Sequence, residues 1–140
     1  HSTKKLEQMK TPPTNIREAN TRQLAERALD AVETYVSPDY VAHLTGKDMK
    51  GLPQVRRAVG MLHTAVPDLS VEVEVLVEDG DRIAWQRTLR GTHEASYAGF
   101  PGTGKRVEWR DMVTSRLHGG VIAEEWVVSD LAEQLLRARK

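Results

Sequence analysis

The chain has 140 residues, 39% hydrophobic and 29% charged, which supplies apolar material for one core and too little length for two domains. Twenty Lys and Arg balance twenty Asp and Glu, so the electrostatic attraction behind nucleic-acid binding has no obvious source. There is no cysteine, which excludes disulfides, thiolate zinc sites, iron–sulfur clusters and a cysteine nucleophile, and no apolar run nears the roughly 20 residues that cross a bilayer.

The expectation is a cytoplasmic protein with neither nucleic acid nor membrane as partner. His1-Ser2 has the look of an expression-tag remnant, and residues 1–15, polar and carrying Pro12-Pro13, read as a flexible arm before a single domain over 16–140. Leu24, Ala25, Ala28, Leu29, Val32, Tyr35 and Val36 recur at spacings of three and four, predicting an amphipathic helix from Thr21 that Ser37-Pro38-Asp39 ends. A short segment, Tyr40 to Leu44, leads into a loop over Gly46 to Gly51. Leu52-Pro53-Gln54-Val55 then opens a second helix, with Val55, Ala58, Val59 and Leu62 as its buried stripe and Pro67-Asp68 as its end.

From Val71 the period changes to two. Val71 to Val77, Arg82 to Arg90, Arg106 to Leu117 and Val121 to Val128 read as strands, with turns at Glu78 to Asp81 and Gly119-Gly120 and a glycine-rich connection between the second and third. Helices first and an antiparallel meander afterwards predict an α+β domain in which a curved, mainly antiparallel sheet wraps N-terminal helices.

Residues two apart on a strand share a face, so parity sorts the chemistry. Ile83, Trp85, Arg87 and Leu89 belong together, with His93 beyond them, as do Val107, Trp109, Asp111, Val113 and Ser115. On the last strand Ile122, Glu124, Trp126 and Val128 form a set that Asp130 extends if the strand stays regular. Ordinary structural roles stand beside these. Asp130 with Glu133 has the spacing of a helix capping box, and Asp111 is placed to pair with Arg87 or Arg110. His43 and His93 suit hydrogen-bonded structural positions, and the tryptophans suit core or pocket wall. The run Gly99 to Gly104 lacks the Gly-Lys-Ser/Thr and following helix of a phosphate loop, and no His or acid spacing fits a metal site.

Several stretches together resemble the SnoaL-like proteins of the NTF2-like superfamily. They are Asp39-Tyr-Val-Ala-His43, Val66-Pro-Asp-Leu69, Gly80-Asp-Arg-Ile-Ala-Trp85, Gly91-Thr-His93, Gly99-Phe-Pro-Gly-Thr-Gly104, and Gly120-Val-Ile-Ala-Glu-Glu-Trp126 with Asp130. They run in consistent order over roughly residues 20 to 136. The resemblance implies a cone of helices and curved sheet around a pocket, a homodimer or homotetramer, and work on aromatic polyketides. It also implies Asp130 as acid/base and His93 as a pocket residue. The family's ester cyclases carry a histidine on the penultimate strand where this chain has Val113, which favours the relatives associated with hydroxylation.

The expected function is therefore polyketide tailoring with no bound cofactor, through hydroxylation of an anthracycline-type intermediate with a separate NADPH-dependent reductase. The alternatives are an aldol or ester cyclase and a non-catalytic binding or dimerisation domain. Asp130, Asp111 and His93 are the candidate catalytic residues. Arg87, Trp85, Trp109, Trp126, His43 and Val113 are the candidate substrate contacts.

Overall fold

The computed structural model describes residues 11–139, so the arm expected over 1–15 falls mostly outside it. Where that arm enters the described chain it is already helical. Helix α1 spans Pro12–Asn20, Thr11 is its N-cap, and the two prolines occupy its first positions. A proline pair that punctuates a polar sequence is equally suited to the first turn of a helix, where the N–H groups have no partner to lose.

The long helix expected from Thr21 is broken into pieces. A π-helical turn over Thr21–Ala25 is followed by a 3₁₀ turn over Leu29–Ala31 and a one-turn helix α2 over Val32–Tyr35. The chain turns between them at Arg27, whose φ is 58°. Val36 is thus the start of strand β1, Val36–Leu44, and not the end of a helix. Pro38 lies inside that strand, in the irregular stretch between Val36 and Val41 where the register against its neighbour shifts, a place where a missing N–H is tolerated. The expected loop before Gly51 holds a short strand β2, Lys47–Lys50, which pairs with β1.

Helix α3 covers Gly51–Ala65, and strands β3 (Ser70–Asp79), β4 (Arg82–Thr92), β5 (Arg106–His118) and β6 (Val121–Ser129) follow the predicted meander before helix α4, Leu131–Ala138. Among the described residues the result is four helices on an open, curved sheet of six strands in the order β2-β1-β6-β5-β4-β3. All neighbours are antiparallel except β1 and β6, which run parallel because α3 and the meander carry the chain back across the sheet. The α+β class and curved, mainly antiparallel sheet read from the sequence describe this architecture.

Two apolar clusters fill the concave side. One gathers Ile16, Val32, Val36, Tyr40, Ala42, Val55, Ile83, Trp85, Val113 and Ile122. The other gathers Leu24, Ala65, Val66, Leu69, Leu89, Val107, Trp109 and Leu135 under α4 and the end of α3. Gly91 is needed at their edge: a Cβ there would lie 2.2 Å from Cγ1 of Val66, so only glycine lets the strand pass.

Candidate functional site

Where the two clusters meet they leave a cavity of about 390 Å³. Its walls come from α1, the π turn, α3, β1, the inner sheet face and α4. Alternation works as predicted on β4 and β5. Trp85 and Arg87 on one strand, and Trp109 and Asp111 on the other, all line the cavity. Arg87 stands directly opposite Asp111 in the ladder, and Asp111 in turn stands opposite Ser129.

The polar groups form two networks. In the first, Arg87 donates from Nε to Oδ2 of Asp111 at 2.8 Å and from its terminal nitrogen to Oδ1 of Asn20, also at 2.8 Å. Its guanidinium lies over the Trp85 ring, 5.4 Å from the centroid. Burial pulls the Arg87 pKa down, but the charge and hydrogen bond of Asp111, and then the charge of Glu125, outweigh it, so the net direction is upward. Oδ1 of Asp111 is buried and has no hydrogen-bond partner. A buried ion pair of this kind contributes little to stability against an apolar replacement, whereas a half-used carboxylate on a cavity wall is chemically available.

In the second network the Tyr40 hydroxyl donates to Oε1 of Glu125 at 2.6 Å, and Ser115 donates to Oε2 of the same carboxylate. Nε1 of Trp85 donates to Ser115 Oγ at 2.8 Å. Burial first, then the Glu125 charge and hydrogen bond, push the Tyr40 pKa well above its usual range and keep the phenol protonated. Tyr97, on the cavity rim, is raised too, by burial and then by the Asp111 charge.

Glu125 was not among the residues singled out from the sequence, and the reason is local. Arg116 pairs with Glu124 but Leu117 pairs with Ile122, so Ala123 is an extra residue in β6. The bulge inverts parity. Ile122 still faces the cavity, but beyond the bulge it is Glu125, Val127 and Ser129 that do so. Glu124, Trp126 and Val128 turn to the outer face. The two successive buried residues Ile122 and Ala123 mark the inversion in the structure; in the sequence, Val121 to Val128 offered no signal for it.

Five candidates lie away from the cavity, Trp126 because of this bulge. Trp126 stacks on His43 with centroids 5.4 Å apart and lies under the Arg82 guanidinium on the outer face. His43 bridges two acids there, Nε2 to Glu124 at 2.6 Å and Nδ1 to Asp48 at 3.1 Å. Asp130 does not line the cavity either. Its Oδ1 accepts the Arg110 N–H at 2.7 Å and its Oδ2 accepts from Gln134 Nε2 at 3.2 Å. The capping-box alternative does not form: the first free N–H of α4 bonds to Ser129 Oγ, and Glu133 pairs with Arg137. His93 is fully buried with both ring nitrogens unpartnered, while its backbone holds Lys105, Thr103 and Gly104 of the glycine-rich connection. Val113 packs in the first apolar cluster and has no share in the cavity wall. Of the nine candidates, the structure brings together Asp111, Arg87, Trp85 and Trp109; it adds Glu125, Tyr40, Asn20 and Tyr97.

Among the described residues no three His, Asp or Glu side chains gather as a metal site, and no helix is long and apolar enough to cross a membrane.

The family model described as SnoaL-like polyketide cyclase matches residues 14–137. No curated protein sequence matches. Among solved structures, a candidate polyketide cyclase from Acidithiobacillus ferrooxidans superposes with a TM-score of 0.78 at 21% identity, over 90% of this chain and 92% of the other. AclR, a candidate hydroxylase from Streptomyces galilaeus, gives 0.77 at 24% identity, over 91% and 94%. IdmH, a candidate polyketide cyclase from Streptomyces antibioticus, gives 0.76 at 25% identity, over 92% and 99%.

Proposed function

This chain belongs to the SnoaL-like polyketide cyclase family, and we propose on that premise that its cavity catalyses an aldol-type ring closure on a polyketide-derived substrate. The observation that carries this reading is Asp111, a cavity-wall carboxylate with one oxygen held by Arg87 and the other without a partner. The free oxygen takes a proton from a carbon flanked by carbonyl groups. The Arg87 N–H groups not engaged by Asp111 and Asn20 stabilise the enolate oxygen that develops. The enolate carbon then attacks a second carbonyl of the same molecule, a C–C bond forms, and the new alkoxide recovers the proton from Asp111. The atoms balance without oxidant or reductant, so the step asks for no cofactor. Trp85 and Trp109 provide apolar walls suited to a planar, aromatic substrate. IdmH, which is named as a candidate polyketide cyclase, supports the choice.

Hydroxylation of the same carbanion is the second reading, and the AclR likeness is consistent with its fold only. Val113, the residue that favoured hydroxylation in the sequence, lies outside the cavity and does not discriminate.

The test is solvent-deuterium exchange into the acidic methylene of ethyl benzoylacetate, followed by NMR in mildly acidic buffer where spontaneous exchange is slow. The wild-type protein is expected to accelerate exchange and Asp111→Asn to lower that acceleration by about 10²-fold or more. Equal exchange with and without protein, or an unaffected Asp111→Asn, defeats the base assignment and leaves a binding domain. Oxygen uptake during turnover of a full substrate would replace ring closure by hydroxylation.

A further inference from the structure

The π turn over Thr21–Ala25 departs from α-helical geometry beside the cavity. The Glu26 N–H bonds to the Thr21 carbonyl at 2.8 Å and the Ala28 N–H to the Arg22 carbonyl at 2.8 Å, which widens the turn. Two successive side chains, Gln23 and Leu24, are then buried together and both line the cavity. His63, buried on α3, contacts the Leu24 carbonyl through Nε2 at 3.1 Å and pins the turn in place.

Gln23 is 9% exposed, and its Nε2 is buried without a hydrogen-bond partner. A buried amide donor in that state is unfavourable unless something in use accepts from it. Among the described residues that line the cavity, Asp111 is the other one with a buried, unpartnered polar atom, its Oδ1. One is a donor and the other an acceptor. They are linked through the wall, since Asn20, about one helical turn before Gln23, accepts from Arg87, and Arg87 donates to Asp111.

We infer that Gln23 is a specificity-determining residue that donates its amide to a carbonyl oxygen of the ligand while Asp111 Oδ1 faces the ligand's removable proton, so the cavity selects ring ketones over ring hydrocarbons. This rests on the cavity being the ligand site proposed above, but not on the reaction assigned to it. His63 is a positioning residue for the same group, acting through the turn.

The test compares 1-tetralone with tetralin, two bicyclic molecules of nearly equal size that differ in one carbonyl, by calorimetric Kd on wild type, Gln23→Leu and Gln23→Met. Both variants are expected to raise the ratio of tetralone Kd to tetralin Kd about tenfold, the effect of one lost hydrogen bond, with tetralin binding nearly unchanged. Both should also melt at or above the wild-type temperature, because a buried unpaired donor is removed; that keeps a binding loss from being mistaken for unfolding. An unchanged ratio, or equal loss of both probes in a folded variant, overturns the inference. Neither probe is turned over by ring closure. A Gln23-dependent ratio with no deuterium exchange would retire the reaction alone, and exchange with an unchanged ratio would retire Gln23 alone.

Discussion

Arg87 and Asp130 show how differently two charged residues with the same sequence appeal can be placed. Arg87 makes two bonds at once with a forked guanidinium, to Asp111 and to Asn20, and lies on a tryptophan face while doing so. Asp130 instead spends both carboxylate oxygens on the protein, one on a backbone N–H of β5 and one on Gln134 in α4. It is a tie between the sheet and the last helix. Asp130→Ala is therefore expected to lower stability by about 0.5–1.5 kcal/mol, since the exposed Arg110 N–H exchanges its carboxylate acceptor for water, and Asp130→Asn by less, since an acceptor remains. Neither should alter deuterium exchange by a folded protein. Denaturant titration read beside the exchange rate checks this, and an exchange-dead but stable Asp130→Asn would return Asp130 to the chemistry. Asp111 and Arg87 were legible from strand parity and residue type, because β4 and β5 are regular through the site. Glu125 and Gln23 were not: each is delivered by a local irregularity, a β bulge and a π turn, that flips or widens which side chains face inward.

At the scale of elements, two histidines tie neighbouring pieces together with opposite pH dependence. His43 in β1 binds Glu124 in β6 and Asp48 in β2. The hydrogen bond it donates to Glu124 first, then the one to Asp48, raises its pKa above the ordinary histidine value. A raised value means its stabilisation is fully present below about pH 6.5 and is lost as pH rises through the folded value. Glu124 is lowered, by the His43 hydrogen bond and then that of Arg116, so its share is lost only as pH falls through its own depressed value. His63, at the π turn, is depressed chiefly by burial, so stability is lost there as pH falls from the ordinary histidine value toward the folded one. His43→Gln should accordingly destabilise most at or below about pH 6.5 and progressively less above it. Melting temperatures of variant and wild type from mildly acidic to alkaline pH measure this, and a constant difference across that range would show that the charged pair is not what holds the hairpin to β6.

For the whole molecule, the open sheet supplies one wall of the cavity and the helices supply the rest, so cavity and core are a single packing problem. Leu135 of α4 is 1% exposed, belongs to the second apolar cluster and also lines the cavity. Leu135→Ala is expected to cost about 2–5 kcal/mol and to enlarge the cavity, because the sheet and α3 cannot close over the missing side chain. Chemical denaturation gives the energy. A loss well under that range would mean that α4 settles inward, and the relative affinities for larger and smaller ring ketones would then stay as they are in wild type.

The sequence by itself determined the α+β class, the four-strand meander and its turns, the second helix, and the inward set on β4 and β5, because a period of two or of 3.6 over a sufficient run leaves one face to bury. It also carried the family, through motifs spread over the chain in consistent order. Only the tertiary structure decided where the regular periods fail. It split the predicted first helix into a π turn, a 3₁₀ turn, the single turn of α2 and a strand start, turned Trp126 outward and Glu125 inward at Ala123, and engaged Asp130 between β5 and α4. The physical reason is common to all three. A one-residue irregularity costs little locally and is selected by packing between elements distant in sequence, and a single-chain pattern carries no record of those partners.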